Sequence, residues 1–228
     1  GNGIVITNDG WIMTHKSVVP SAKAKYLVST EEHELFQTEQ IVLNGSGVVF
    51  IKIPANNLSV AEFGLRENLV DGQTLFLFGE EGNILQTALR DLSYSDTSSF
   101  SRMVRSTEGF YKFMLVNETT NEYVGSPVVS LEGKVIGMLS DKSGLVVPMD
   151  HLTQSLKRIV QGEAWNQPYL GLKYYDLTEV LNTKISQTRG AMVLSNYGVM
   201  ADSPAKTIIL PGDIIIRVEG EELGEMKN

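Results

Sequence analysis

The sequence predicts an all-β chain in which short strands build a sandwich or barrel, followed by a second, smaller unit. Two features of the first half carry this reading. Runs rich in β-branched and aromatic residues recur at short spacing, and turns containing Gly, Asn, Asp or Pro separate them. A third observation divides the chain. Composition shifts after the single helical periodicity that stands out, and Ala164-Trp165-Asn166-Gln167-Pro168 reads as a linker.

Ile4-Val5-Ile6-Thr7 and Trp11-Ile12-Met13-Thr14 flank Asn8-Asp9-Gly10, a hairpin signal with glycine where positive φ is needed. Val48-Val49-Phe50-Ile51-Lys52-Ile53 is a strand stopped by Pro54. Thr74-Leu75-Phe76-Leu77-Phe78 follows the Asp71-Gly72 turn. Val128-Val129-Ser130-Leu131 and Lys134-Val135-Ile136-Gly137-Met138 form a second hairpin about Glu132-Gly133, and Gly144 to Pro148 is a further strand. Asp150 is the expected cap of a helix with apolar positions Leu152, Leu156, Ile159 and Val160. Lys157 and Arg158 favour its C-terminal end, and Gly162 stops it. Past the linker, Tyr169-Leu170-Gly171-Leu172 opens the new unit, and Asp176 to Ile185 reads as a small helix. Gly190 to Leu194 is a strand, Ser203-Pro204-Ala205 starts a helical turn, and Leu210-Pro211-Gly212-Asp213 turns into the strand Ile214 to Val218.

Bulk properties narrow the function classes. A chain of 228 residues with 42% hydrophobic and 20% charged residues buries an ordinary globular core. A net charge of −8 argues against nucleic acid as a partner. No cysteine is present, which removes disulfides and thiol catalysis, and three histidines without cysteine make a structural zinc site improbable. No cofactor or metal is expected. No apolar run approaches the ~18 residues of a membrane span. The start at Gly1-Asn2-Gly3, without methionine or signal peptide, reads as a fragment, which leaves an upstream membrane anchor open.

Six segments, in order, resemble the HtrA/Deg family (DegP/DegQ-type) of trypsin-like serine proteases with a C-terminal PDZ domain. They are Gly1 to Ile6, Trp11 to Val19, Gly47 to Ile53, Gly125 to Gly137, Tyr169 to Leu172 and Leu210 to Ile215. The resemblance implies a trypsin-like double β-barrel over residues 1–163, a linker over 164–168, and a PDZ-like domain over 169–228, incomplete at its C-terminal end. It also implies the periplasm or outer face of the membrane.

The family's chemistry maps onto unexpected residues. Ser17 stands at the position of the histidine base, Gly47 at that of the orienting aspartate, and Val124 at that of the nucleophilic serine. A serine hydroxyl needs an adjacent base, and Val124 has no hydroxyl to activate. Glu122 stands where the family places the oxyanion-hole glycine, and its carboxylate would repel an oxyanion. Possible substitutes are weaker matches. His15 reads as a packed or solvent-facing histidine, His33 as part of an exposed turn, and His151 as a capping or surface residue. Ser126 would reach the nucleophile position only by a one-residue slip, and Asp71 and Asp96 read as turn residues. The short Leu139 to Gly144 connection implies an altered specificity pocket.

These substitutions give the expectation of a pseudoprotease: not an enzyme, but a protein-binding or scaffold component of the bacterial cell envelope. The alternative is an active or residual serine endopeptidase with non-standard site residues. The PDZ resemblance implies protein partners, C-terminal peptides among them, held by the backbone N–H groups of Tyr169, Leu170, Gly171 and Leu172. Homo-oligomer formation is left open.

Overall fold

The computed structural model describes residues 1–228 except 44–46, 80–81, 97, 99–102, 110–111, 162–168, 181–186 and 224–228. The linker and the second half of the expected 176–185 helix therefore lie outside the described residues. Of that helix, Asp176 ends a strand and 177–179 form a turn.

The described chain forms two compact units. The first contains Gly1–Tyr94 and Lys112–Trp165; the second contains Ser95–Tyr111 and Asn166–Asn228. The second unit thus takes in a segment that the sequence supplies well before residue 163.

In the first unit, the strands begin with β1 (Ile4–Val5), β2 (Trp11–His15), β3 (Leu27–Ser29), β4 (Leu35–Gln37), β5 (Gln40–Leu43) and β6 (Val48–Lys52). Antiparallel pairing orders one sheet β1-β2-β6-β5, with β3 and β4 as a separate ribbon. Every residue of β2 is buried. One face of this sheet packs Ile12, Val49, Ile51 and Ile53 with Val19 and Ala55. Strands buried on both faces read as continuous apolar runs, which is why 48–53 was legible as a strand.

The barrel follows from β7 (Thr74–Phe78), β8 (Ile84–Tyr94), β10 (Phe113–Val116), β11 (Pro127–Val129), β12 (Val135–Leu139) and β13 (Leu145–Pro148), with β9 (Val104–Ser106) inserted between β8 and β10. Those six close in the order β10-β13-β12-β11-β7-β8. Alternation in β7 sends Leu75 and Leu77 inward, where they meet Leu89, Met114, Val116, Val128, Ile136 and Val146. Among the described residues this is the one closed barrel. The expected first barrel appears instead as a sheet and a ribbon, in which β3 and β4 turn Leu27 and Leu35 to solvent and pack Val28 and Phe36 against the core of the sheet.

The helix after β13 differs from expectation at its start. The chain enters through a 3-10 turn at Met149–Leu152, and α1 spans Thr153–Val160 without a side-chain cap. Asp150 is drawn away by charge: its carboxylate pairs with Arg66 at 2.7 Å.

In the second unit, β14 (Lys173–Asp176), β15 (Ala191–Val193) and β16 (Ile214–Ile215) form a sheet with β9 in the order β16-β15-β14-β9. A short ribbon of β17 (Arg217–Val218) and β18 (Glu221–Glu222) follows, so the expected 214–218 strand is split in two.

Candidate functional site

His15 ends β2, and the chain then folds back on it. The N–H groups of Val18 and Val19 both donate to the His15 carbonyl, at 2.9 and 3.2 Å. That turn returns Ser17 to the His15 ring. The Ser17 oxygen lies 2.8 Å from His15 Nδ1, and the Ser17 backbone N–H reaches the same nitrogen at 3.2 Å. A backbone N–H can only donate, so Nδ1 carries a lone pair and the ring proton sits on Nε2. The hydroxyl of Ser17 therefore donates to Nδ1. This is the polarity a general base requires of its partner.

The two residues differ in exposure. His15 is buried, at 6% exposure, whereas Ser17 is exposed. Burial pushes the His15 pKa below its usual value; the Lys16 charge pushes the same way, and the Asp141 carboxylate opposes both. The imidazole is thus held neutral near pH 7, in its proton-accepting form.

Of the other mapped positions Gly47 borders this ring, and so does Gly125 beside Val124. A Cβ on Gly47 would stand 3.3 Å from His15 Nε2, and one on Gly125 would meet His15 Cβ at 2.9 Å. Gly125 has a φ of 88°, so a side chain there is excluded by both backbone and contact. Val124 follows a 3-10 turn at Asn121–Tyr123, and its N–H donates to the Asn121 carbonyl at 3.2 Å. That donor is consequently turned away from any oxyanion. The exposed Glu122 carboxylate accepts from Asn83 Nδ2 at 3.2 Å.

The remaining candidates lie elsewhere or are locked. Ser126 is 1% exposed, and its backbone is tied to Tyr123 and Leu139, so its hydroxyl is not presented to a substrate. His33 is in an exposed turn closed onto Thr30. His151 is half-buried in the 3-10 turn before α1, and burial lowers its pKa. Asp71 is an exposed turn residue, and the Asp96 carboxylate accepts from the N–H and hydroxyl of Ser98. The short 139–144 connection is tightened by Asp141, whose carboxylate accepts from the Ser143 N–H at 2.9 Å. A cavity of about 400 Å³ opens between Phe63, Leu65, Met149 and Leu156, but no residue of the His15 cluster lines it. Among the described residues, no group of three or more His, Asp or Glu side chains could hold a metal ion.

In the second unit, residues 169–172 form a loop whose N–H groups converge. Leu170 and Gly171 both donate to Glu108 Oε1, at 3.0 and 2.7 Å, and Leu172 donates to Thr107 Oγ at 3.1 Å. Ser203 holds the loop from behind by donating to the Leu170 carbonyl at 2.7 Å. Tyr169 is a different case. Its phenol donates to Asp202, which pushes its pKa up to about 12.

The closed six-stranded barrel and the four-stranded antiparallel sheet that precedes it are the fold of the trypsin-like peptidase class. Residues 1–138 match the trypsin-like peptidase domain family, and the chain belongs to it. Its relatives are of the HtrA/DegP kind. A probable periplasmic serine endoprotease, DegP-like, of Hahella chejuensis is 26% identical across 98% of this chain and 49% of its own length. The mitochondrial serine protease HTRA2 of Drosophila virilis is 25% identical across 98% of this chain and 58% of its own. The chain therefore spans about half the length of the curated relatives it matches. Among solved structures, an HtrA-type protease, AlgW with decapeptide, superposes with a TM-score of 0.71 at 17% identity, covering 99% of this chain and 71% of that one. That likeness concerns the fold.

These relatives correct the expectation that the chain is not an enzyme. They are named serine endoproteases, and none supports a loss of activity. The sequence reads His15 as packed or solvent-facing, and it is buried; what sequence reasoning missed is its contact with Ser17. Its signal was the His-x-Ser spacing just past a strand, where a turn can bring the hydroxyl back to the ring.

Proposed function

We propose that this chain is a serine endopeptidase of the HtrA type with non-standard site residues, working outside the cytoplasm on protein substrates. The observation that carries the reading is the 2.8 Å contact between the Ser17 hydroxyl and His15 Nδ1. Ser17 occupies the family position of the base, yet its hydroxyl is the group that a neutral imidazole polarises.

In this mechanism the Ser17 oxygen attacks the scissile carbonyl carbon while its proton passes to His15 Nδ1. The tetrahedral intermediate then expels the amine, which takes that proton, and an ester on Ser17 remains. Water, deprotonated by the same nitrogen, hydrolyses the ester and restores the pair. Two family aids are missing from the pair. No carboxylate at residue 47 orients the ring, and the Val124 N–H is engaged with Asn121. Loss of the orienting acid costs about 10⁴-fold and loss of one oxyanion donor about 10²–10³-fold, so turnover is expected to be slow. The names of the periplasmic relatives support an extracytoplasmic site of action. Residues 169–228 are read as a PDZ-like module that takes peptide C-termini through Tyr169, Leu170, Gly171 and Leu172.

An activated ester and a fluorophosphonate, followed by peptide mass mapping, test the chemistry. An adduct on Ser17 is expected. Ser17→Ala should abolish it, and His15→Gln should slow its formation by about 10²–10⁴-fold. No adduct, or one on another serine that survives Ser17→Ala, overturns the reading.

A further inference from the structure

The second unit presents a built recognition site that is already filled, and what fills it is this chain's own residues 104–108. Strand β9 lies antiparallel along β14, with Ser106 opposite Lys173, Arg105 opposite Tyr174 and Val104 opposite Tyr175. Added this way, β9 is the outermost strand of its sheet, and without it β14 would be an open edge. Beyond Ser106, the Thr107 N–H donates to the Leu172 carbonyl at 3.1 Å. The next residue, Glu108, places its carboxylate on the N–H groups of Leu170 and Gly171. An extended strand paired to a sheet edge and ending in a carboxylate held by backbone N–H groups is the arrangement of a bound peptide C-terminus.

The side chains add a selectivity element. Arg105 is 6% exposed, and its guanidinium pairs with Glu179 at 2.7 Å and donates to Ser95. Of the segment's residues, it is the one whose charge is buried, and a buried charge needs a matched partner. Glu108 is held as an anion. Burial pushes its pKa up, but hydrogen bonds from Thr107, Gly171, Ser106 and Leu170 outweigh this and leave it below the usual value. Gly171, with a φ of 70° and a would-be Cβ 3.0 Å from Ser203 Cβ, keeps the loop tight enough for two adjacent N–H groups to share one oxygen.

We propose that β14 and residues 169–172 bind peptides with a free C-terminal carboxylate and an arginine two residues before the last, and that the 104–108 segment is a built-in competitor for that groove. In this register Thr107 stands for the last residue of the ligand, Arg105 for the residue read by Glu179, and the Glu108 side chain for the terminal carboxylate. The inference rests on the PDZ-like reading of the second unit and adds to it a ligand preference and a self-occupied ground state. A tethered competitor has an effective concentration of order millimolar, so an external peptide meets a groove that is closed to weak ligands.

The test uses the pentapeptide Met-Val-Arg-Ser-Thr, labelled at its N-terminus, as free acid, as C-terminal amide, and with alanine for arginine. Binding to the whole chain is read by fluorescence anisotropy. The free acid is expected to bind Glu108→Ala about 10-fold or more tighter than the unmodified protein, the factor of one charge-assisted hydrogen bond. The amide and the alanine peptide should each bind Glu108→Ala about 10-fold more weakly than the free acid, and Glu179→Gln should erase the preference for arginine. Equal affinity of the free acid for the unmodified and Glu108→Ala proteins overturns self-occupancy while leaving the peptide-binding reading intact. No binding by a folded Glu108→Ala protein, or equal binding of acid and amide, overturns that reading as well. Hydrogen exchange on the unmodified protein supplies a measurement independent of any variant. Saturating peptide should accelerate exchange at 104–106 and leave 170–171 protected, and unchanged exchange at 104–106 overturns the competitor.

Discussion

Two hydrogen bonds to one ring nitrogen decide what the His15–Ser17 pair can do. Because the Ser17 N–H occupies a donor's place at Nδ1, the hydroxyl beside it has to donate too. Burial is the largest influence on the ring and lowers its pKa, followed by Lys16, with Asp141 opposing. Peptidase or esterase activity should therefore rise with pH along an acid limb centred below 6.5, the ordinary histidine value. Lys16→Glu removes a lowering charge and adds a raising one, so it should move that limb to higher pH. A pH–rate profile of the two proteins checks this, and an unmoved limb would mean that His15 is not the titrating base. Stability follows the same group. With the folded pKa below the unfolded one, the unfolded chain takes up the proton first on acidification. His15 thus contributes fully above about 6.5, and its contribution is lost as pH falls through the folded value. His151, also lowered by burial, acts in the same direction. Thermal midpoints should drop from pH 7.5 to 5.5, and less so in His15→Asn. Only part of this was legible in sequence. The motif placed Ser17 and His15 near each other, but which nitrogen faces which oxygen depends on the turn that returns 17–19 to the His15 carbonyl.

Strands were legible where their side-chain pattern matched their burial. Residues 74–78 alternate, with Leu75 and Leu77 fully buried, and 48–51 are buried throughout. The longest strand, β8, was not read at all. Its sequence Ile84 to Tyr94 carries Gln86, Arg90 and Asp91, and its pairing with β10 shifts register twice, which breaks the period-2 signal. The insertion strand β9, Val-Arg-Ser, has no apolar pattern because tertiary pairing with β14 and the ion pair of Arg105 define it. Buried strand positions also carry the energetics. Leu77→Ala removes a side chain with 0% exposure from the middle of the barrel core. It should cost about 2–5 kcal/mol, the usual range for a buried leucine. Chemical denaturation should show a lower midpoint with the far-UV spectrum kept. A loss under about 1 kcal/mol would mean that the barrel wall collapses onto the vacancy.

At the scale of the whole chain, the two units are interleaved in sequence. The second unit borrows Ser95–Tyr111 from between two barrel strands, so its integrity depends on residues far from its own stretch. Arg105 is the anchor of that segment, since its guanidinium meets Glu179 across 74 residues of sequence at 2.7 Å. Removing one member of a buried pair strands the other, at about 3–5 kcal/mol, whereas replacing both with apolar groups of similar size is often neutral. Arg105→Met alone should therefore loosen the second unit, and Arg105→Met combined with Glu179→Leu should recover most of the loss. Multi-unit chains need not unfold in one step, so the readout has to be local. Hydrogen exchange at 191–193 should accelerate in the single variant and return toward its original rate in the double variant. Exchange at 135–139, in the barrel, should stay unchanged in both. Equal acceleration in β12 and β15 would show that the inserted segment stabilises the chain as one cooperative whole. A double variant as damaged as the single one would show instead that the guanidinium is held for its packing and its bond to Ser95, and not for its charge.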